Sequence, residues 1–156
     1  MKPIYILPGK IHTGKTTRLM QWAVTQKNID GIFQPVINDK RFIYHLASRT
    51  LKLLETDQKE NIISIGKFNF SNAAFEWAKN TLLNCFKQDL DWLVIDEIGP
   101  LELDDKGLEP VITKIISERE KFKGKTICVV RDTILEKFLS KYDLKNHYEI
   151  FTVAQI

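Results

Sequence analysis

Cysteine, histidine and arginine are all scarce in this chain, and each shortage removes a class of function. Only two cysteines occur, Cys85 and Cys128, far apart and without the paired spacing of a metal knuckle or a disulfide framework. The first falls in a helical pattern and the second in a strand pattern, so both read as buried free thiols. His12, His45 and His147 are too dispersed for a histidine-built metal site. No apolar run approaches the roughly 18 residues of a membrane span. Met1-Lys2 leads straight into a short apolar run, so neither a membrane segment nor a secretory leader is expected, and the cytosol is the expected compartment. Basic and acidic side chains nearly cancel, 23 against 20, which argues against nucleic acid as a partner. The one basic run, "KFKGK" at 121–125, reads as a solvated helix end. What remains is 156 residues of which 44% are hydrophobic, enough for one compact domain with a real core.

The patterns along the chain predict an α/β fold. Residues 3–7 read as a short buried strand, and 15–27 as a helix with Leu19, Met20, Ala23 and Val24 on one side, closed by "NIDG" at 28–31. A different texture follows: "IFQPVINDKRFIYHLASRTLKLLE" at 32–55, where β-rich runs are separated by Asn38-Asp39 and Ser48-Arg49. That reads as an antiparallel meander, which "IISI" and "KFNF" are expected to continue, so that an insertion covers about 31–70. Helical periodicity returns at 72–88, capped by Ser71 or Asn72, with Phe75, Ala78, Leu82, Leu83 and Phe86 forming the buried stripe. "DWLVIDEIG" is a strand ending in acids. Leu108 to Phe122 marks a helix, "TICVV" a strand, 133–142 a helix, and "YEIFTV" a last strand. Strands alternating with helices at both ends call for a mostly parallel sheet flanked by helices.

Two stretches carry chemistry. Gly9-Lys10-Ile11-His12-Thr13-Gly14-Lys15-Thr16 fits G-x-x-x-x-G-K-[ST] at every specified position, between an apolar strand and an amphipathic helix. Such a loop must fold over phosphates with its amide hydrogens inward, and glycine permits the backbone angles this needs. The helix that follows begins with unpaired N–H groups and the positive end of its dipole, which favour an anion. Lys15 is placed to reach β- and γ-phosphate oxygens, Thr16 to ligate Mg²⁺, and Thr17 to meet the α-phosphate. The second stretch is "LVIDEIG" at 93–99. Asp96 emerges at the carboxyl end of a buried strand, where open α/β sheets bind their ligands, and can hold Mg²⁺ opposite Thr16. Glu97 is then the candidate that polarises an attacking water. Asp96-Glu97-Ile98-Gly99 also fits the D-x-x-G switch of GTP-binding proteins, but no N-K-x-D guanine-reading element accompanies it; "NDKR" at 38–41 has the letters in another order.

With both motifs placed, the chain resembles the small nucleoside-triphosphatase family known from thermophiles and from a human cancer-related relative. The resemblance rests on the loop continuing as "GKTT" and on the extended string "DEIGPLEL" at 96–103, and "GKFNF" at 66–70 is similar to a family segment as well. It implies a RecA-like core and slow, Mg²⁺-dependent hydrolysis of nucleoside triphosphates with little base preference. By motif position it places phosphate contacts on Gly14, Lys15, Thr16 and Thr17, the metal on Thr16 and Asp96, and water activation on Glu97. The loop interior "KIHT" is bulkier than the family's small, valine-containing loop, and the meander lacks the family's arginine- and glycine-rich pattern.

Transition-state charge in phosphoryl transfer often calls for a further cation. There are five arginines, Arg18, Arg41, Arg49, Arg119 and Arg131. Arg131 follows "TICVV" and should emerge on the same sheet edge as Asp96, as a γ-phosphate sensor or a salt-bridged strand end. Arg119, in "SERE", is a weaker sensor candidate expected to pair with neighbouring glutamates. Trp22, Trp77 and Trp92 are expected in the core, while Phe33, Phe42 or Tyr44 of the meander could cover a base. The expected activity is Mg²⁺-dependent hydrolysis of ATP, GTP and other triphosphates. A small-molecule kinase on the same fold and a nucleotide-gated binding module are the alternatives, and the sequence leaves the oligomeric state open.

Overall fold

The computed structural model describes residues 1–9 and 14–153. Its centre is a sheet whose parallel part runs, edge to interior, through β10 (Tyr148–Ile150), β1 (Ile4–Gly9), β9 (Lys125–Arg131), β8 (Trp92–Ile98) and β2 (Ile29–Phe33). All four pairings in this series are parallel. Such strands are covered on both faces and need apolar side chains on both. Successive residues deliver them by the two-residue strand period. Val94, Ile127 and Val129 pack with Leu19 and Ala23 of α1 (Lys15–Ala23) on one face. Ile95, Cys128 and Val130 pack on the other with α2 (Asn72–Phe86), α4 (Val111–Ser117) and α5 (Leu135–Lys141). The four-residue α3 (Pro100–Leu103) follows β8 directly. Both cysteines are free and buried.

The helices start and stop for local reasons. Ser71 caps α2 by accepting a hydrogen bond from the Ala74 amide at 3.1 Å, a contact of the kind worth about 1 kcal/mol. Ala78 and Leu82 of its stripe are fully buried, while Leu83 and Phe86 are partly so. Truncating Leu82 to alanine would cost roughly 2–5 kcal/mol by lost transfer and cavity formation. α1 is shorter than its pattern suggests, and Val24 points to solvent. The helix expected from Leu108 to Phe122 is shorter: α4 starts only after Pro110, ends at Ser117, and is followed by a 3₁₀ turn (Arg119–Lys121).

The insertion differs from its expectation in two ways. "NIDG" does not merely close α1. Ile29–Phe33 is a fifth parallel strand, paired with β8 from Ile29 opposite Trp92 to Ile32 opposite Ile95. Its turn-forming residues are absorbed by tertiary partners. A Cβ on Gly31 would lie 2.1 Å from the Val94 carbonyl oxygen, so only glycine fits against β8 there. Asp30, buried, accepts hydrogen bonds from the Gly31 and Ala47 amides at 2.8 and 3.0 Å and pairs with His45 at 3.0 Å. The meander proper is β3 (Val36–Ile37), β4 (Lys40–His45) and β5 (Thr50–Leu53), with β4 joining the main sheet antiparallel to β2. β6 (Ile62–Ile65) and β7 (Phe68–Ser71) do not extend it. They form a separate two-stranded hairpin, tied to the end of the meander by a bridge between Glu55 and Phe70.

Trp22 and Trp92 pack edge to face at 5.2 Å, with Phe151 at 4.9 Å from Trp22, fixing α1 on the sheet as core residues should. Phe33, one of the aromatics considered for covering a base, is fully buried and serves the core instead.

Candidate active site

The carboxyl ends of β1, β8, β9 and β2 converge, and each delivers one part of the site. β1 ends at Gly9, and α1 opens at Lys15 after Gly14, whose φ of 76° makes the left-handed turn into the helix. The Lys15 stem lies over Gly9, where a Cβ would come within 2.6 Å of Lys15 Cδ. A side chain at position 9 would therefore push this lysine aside. Lys10, Ile11, His12 and Thr13, the expected phosphate-cradling interior, lie outside the described residues.

β8 brings Asp96 and Glu97 to opposite uses. Asp96 is fully buried, and its Oδ2 accepts hydrogen bonds from Thr16 Oγ1 at 2.7 Å and from the Gln34 amide at 3.0 Å. Its Oδ1 is buried without a hydrogen-bond partner among the described residues. Burial, then the neighbouring Glu97 charge, pushes the Asp96 carboxyl up to about 6 despite the opposing hydrogen bonds. An unpaired carboxylate oxygen beside a threonine hydroxyl is the donor set that Mg²⁺ takes, hard oxygens from one carboxylate with room for phosphate and water. The residues fit the ion.

Glu97 is held by two guanidinium groups. Arg131 Nε approaches its Oε1 at 2.6 Å and Arg41 Nη1 its Oε2 at 3.0 Å, all three side chains being mostly buried. Burial alone would raise the Glu97 carboxyl, but Arg131, Arg41 and Lys15 outweigh it and hold the group below its ordinary value. The carboxylate is thereby held in its ionised form, a hydrogen-bond acceptor and a weak base. Gln34 spans the two acids, its Nε2 reaching the Glu97 carbonyl at 3.4 Å.

The sequence therefore located Gly14, Lys15, Thr16, Asp96, Glu97 and Arg131 on one edge. Thr17 is exposed on the first turn of α1. Arg119 is a correction. Its Nε donates to the Lys2 carbonyl at 2.6 Å and its Nη1 to the Ile116 carbonyl at 2.7 Å, at the amino end of β1 and away from the acids. Backbone carbonyls, rather than neighbouring glutamates, take its donors. Arg41 and Gln34 were missed as site residues. Both belong to the insertion, and no spacing rule ties them to Glu97; the one usable signal was the shortage of arginine, which made any arginine near the acids informative. His45, isolated in sequence, lies against Asp30, with the Cys85 thiol close by.

A phosphate-loop helix start facing an acidic strand end across a parallel sheet defines a nucleoside-triphosphate-binding α/β protein. A family model described as NTPase matches residues 4–156, and the chain belongs to that family. The crystal structure of THEP1 from the hyperthermophile Aquifex aeolicus superposes with a TM-score of 0.73 over 99% of this chain and 91% of that one, at 16% identity. That likeness is one of fold, a mostly parallel sheet flanked by helices with antiparallel strands added. No curated protein matches. Family membership supports nucleoside-triphosphatase activity in general, with a nucleotide as substrate. Among the described residues, no helix is long and apolar enough to cross a membrane.

Proposed function

We propose that the chain is a single-domain, Mg²⁺-dependent nucleoside 5′-triphosphatase that hydrolyses ATP, GTP and related triphosphates to diphosphate and phosphate with little base preference. The observation that carries this reading is the Thr16–Asp96 contact at 2.7 Å, with Asp96 Oδ1 taking no hydrogen bond from the described residues. It ties the start of the phosphate-loop helix to the acidic strand end. A cytosolic setting fits two buried free thiols.

In this reading the amides at the start of α1 and the Lys15 ammonium bind the phosphate chain, with Thr17 toward the α-phosphate. Thr16 and Asp96 would hold Mg²⁺, which when bound neutralises charge on the β- and γ-phosphate oxygens. Glu97 accepts a hydrogen bond from the attacking water and orients it toward the γ-phosphorus. The highly charged triphosphate competes with Glu97 for Arg131 and Arg41. As these guanidiniums turn toward the γ-phosphate, they release the carboxylate for water and stabilise the leaving charge. An arrangement that must first exchange two ion pairs favours slow turnover. Nothing in the reading calls on a base-specific group, in keeping with broad use of triphosphates.

The test is phosphate release from all common triphosphates side by side, with and without Mg²⁺, by wild type and Glu97→Gln. Release that is Mg²⁺-dependent, similar across bases and lost in the variant is the expected result. Equal rates for wild type and variant would remove Glu97 from the reaction.

A further inference from the structure

Beyond Glu97 the edge opens into a cavity of about 600 Å³, within the size range of organic-ligand pockets. It is roofed by the meander and the β6–β7 hairpin and floored by the end of β8 and α3. Leu54, Phe70, Phe75 and Leu101 form its buried apolar body, and Phe68 stands 42% exposed at the rim, stacked on Phe70 at 6.2 Å. Glu97, Gln34 and Arg131 form the wall shared with the acidic site. None of Gly9, Gly14, Lys15, Thr16, Thr17 or Asp96 lines it.

That position argues against two occupants. A nucleotide base hangs from the α-phosphate, at the opposite end of the chain of phosphates from the one that Glu97 meets. Water needs no apolar cavity of this size. An organic molecule in this space would present its polar end to Glu97, on the open side of the γ-phosphate.

The charges narrow its chemistry. Without nucleotide Arg41 and Arg131 are both paired with Glu97, while Asp39 and Glu55 add negative charge to the lining with no ion pair among the described residues. An anionic ligand would meet uncompensated like charge, whereas a neutral or cationic one would not. Aromatic walls favour a flat or otherwise apolar body.

We propose that this cavity is a second-substrate site for an uncharged or cationic, apolar-bodied alcohol whose hydroxyl, placed at Glu97, accepts the γ-phosphoryl group in preference to water. In the transfer, the acceptor oxygen bonds to the γ-phosphorus as the bond from phosphorus to the β–γ bridging oxygen breaks. The electron pair of that bond leaves with the nucleoside diphosphate, and the hydroxyl proton passes to the Glu97 carboxylate. The inference rests on the reading that Glu97 faces the γ-phosphate.

Three probes share one aromatic body and differ in charge: tyrosol is neutral, tyramine cationic and para-hydroxyphenylacetate anionic. Their binding to the full chain without nucleotide is measured by ligand-observed NMR, for wild type and Phe68→Ala. Their turnover is followed with Mg²⁺ and ATP radiolabelled in the γ-phosphate. Tyrosol and tyramine are expected to bind at least about tenfold tighter than the anion, and Phe68→Ala to weaken them by about tenfold. Label is expected in the phosphate ester of tyrosol, the probe that carries an alcohol hydroxyl. Failure of the neutral and cationic probes to bind, equal binding of the anion, or indifference to Phe68→Ala overturns the site. Label found solely in inorganic phosphate while tyrosol saturates the cavity overturns the acceptor role. Absence of label release from ATP under every condition overturns the hydrolytic reading instead, a failure told apart because the binding measurement contains no nucleotide.

Discussion

The two edges of the same sheet treat buried charge in opposite ways. At the amino edge Lys2 and Arg119 are spent on backbone carbonyls. Lys2 Nζ donates to the carbonyls of Phe122, Lys123 and Gly124, and Arg119 donates to those of Lys2 and Ile116, so these side chains tie the chain's first residues to the loop before β9. At the carboxyl edge two carboxylates sit side by side, one with an oxygen that has no partner among the described residues and the other clamped by two arginines. The first edge spends its polar groups on holding strands together. The second keeps them poised for something not of the chain. Buried polar groups are ordinarily satisfied, so an exception at a ligand-binding edge points to function.

The comparison can be broken most severely at Glu97. Glu97→Gln keeps the shape but loses the carboxylate, and turnover should fall by about 10²–10⁴-fold, read as phosphate release under single-turnover conditions. Unchanged turnover would make the carboxyl edge as structural as the amino edge.

Asp96→Asn should sharpen the contrast by moving stability and function in opposite directions. The amide oxygen can take the bonds from Thr16 and Gln34, and the amide nitrogen the place of the unpartnered Oδ1. A folded-state value of about 6 against an ordinary 3.8 corresponds to a destabilisation on the order of 3 kcal/mol. Because the folded value is raised, that burden is absent below the unfolded value, grows between about 4 and 6, and is complete above 6. Nucleotide-free Asp96→Asn in a chelator should therefore melt several degrees higher than wild type at pH 7 to 8, with the advantage vanishing near pH 4. Mg²⁺-dependent triphosphate binding should be lost at the same time. A variant less stable than wild type at neutral pH would mean that the buried charge is compensated.

Arg119→Ala should do the reverse. It takes the guanidinium donors away from the Lys2 and Ile116 carbonyls and removes a packed stem, for a loss of about 2 kcal/mol in denaturant unfolding. Turnover per folded molecule should not change, which separates this arginine from Arg131. The smallest effect is expected at the exposed Lys123–Asp89 pair, 3.5 Å apart. Lys123→Ala should stay within about 0.5 kcal/mol of wild type, and a larger loss would show that the amino edge reaches further than its buried bonds.

Much of the site was legible because its parts lie in contiguous strings. Gly9, Gly14, Lys15 and Thr16 are fixed by loop spacing, and Asp96 and Glu97 by the end of an apolar run. β2 was hidden because Asp30 and Gly31 are turn formers by local preference, and only His45, Ala47 and Val94 turn them into strand residues. Arg41 and Gln34 were hidden because the insertion reaches Glu97 through a fold that no local pattern encodes. Arg119 misled because a helical arginine among glutamates looks solvent-paired, whereas its partners are carbonyls from the start of the chain.

The sequence by itself determined the phosphate loop, the acidic strand end and the alternation of strands and helices, since each follows from spacing within a few residues. Tertiary structure alone decided that Asp96 is buried beside Thr16 and Gln34, that Glu97 is clamped by Arg41 and Arg131, and that a cavity opens beside it. Burial, charge pairing and enclosed space depend on what distant segments bring together, and local periodicity carries no record of that.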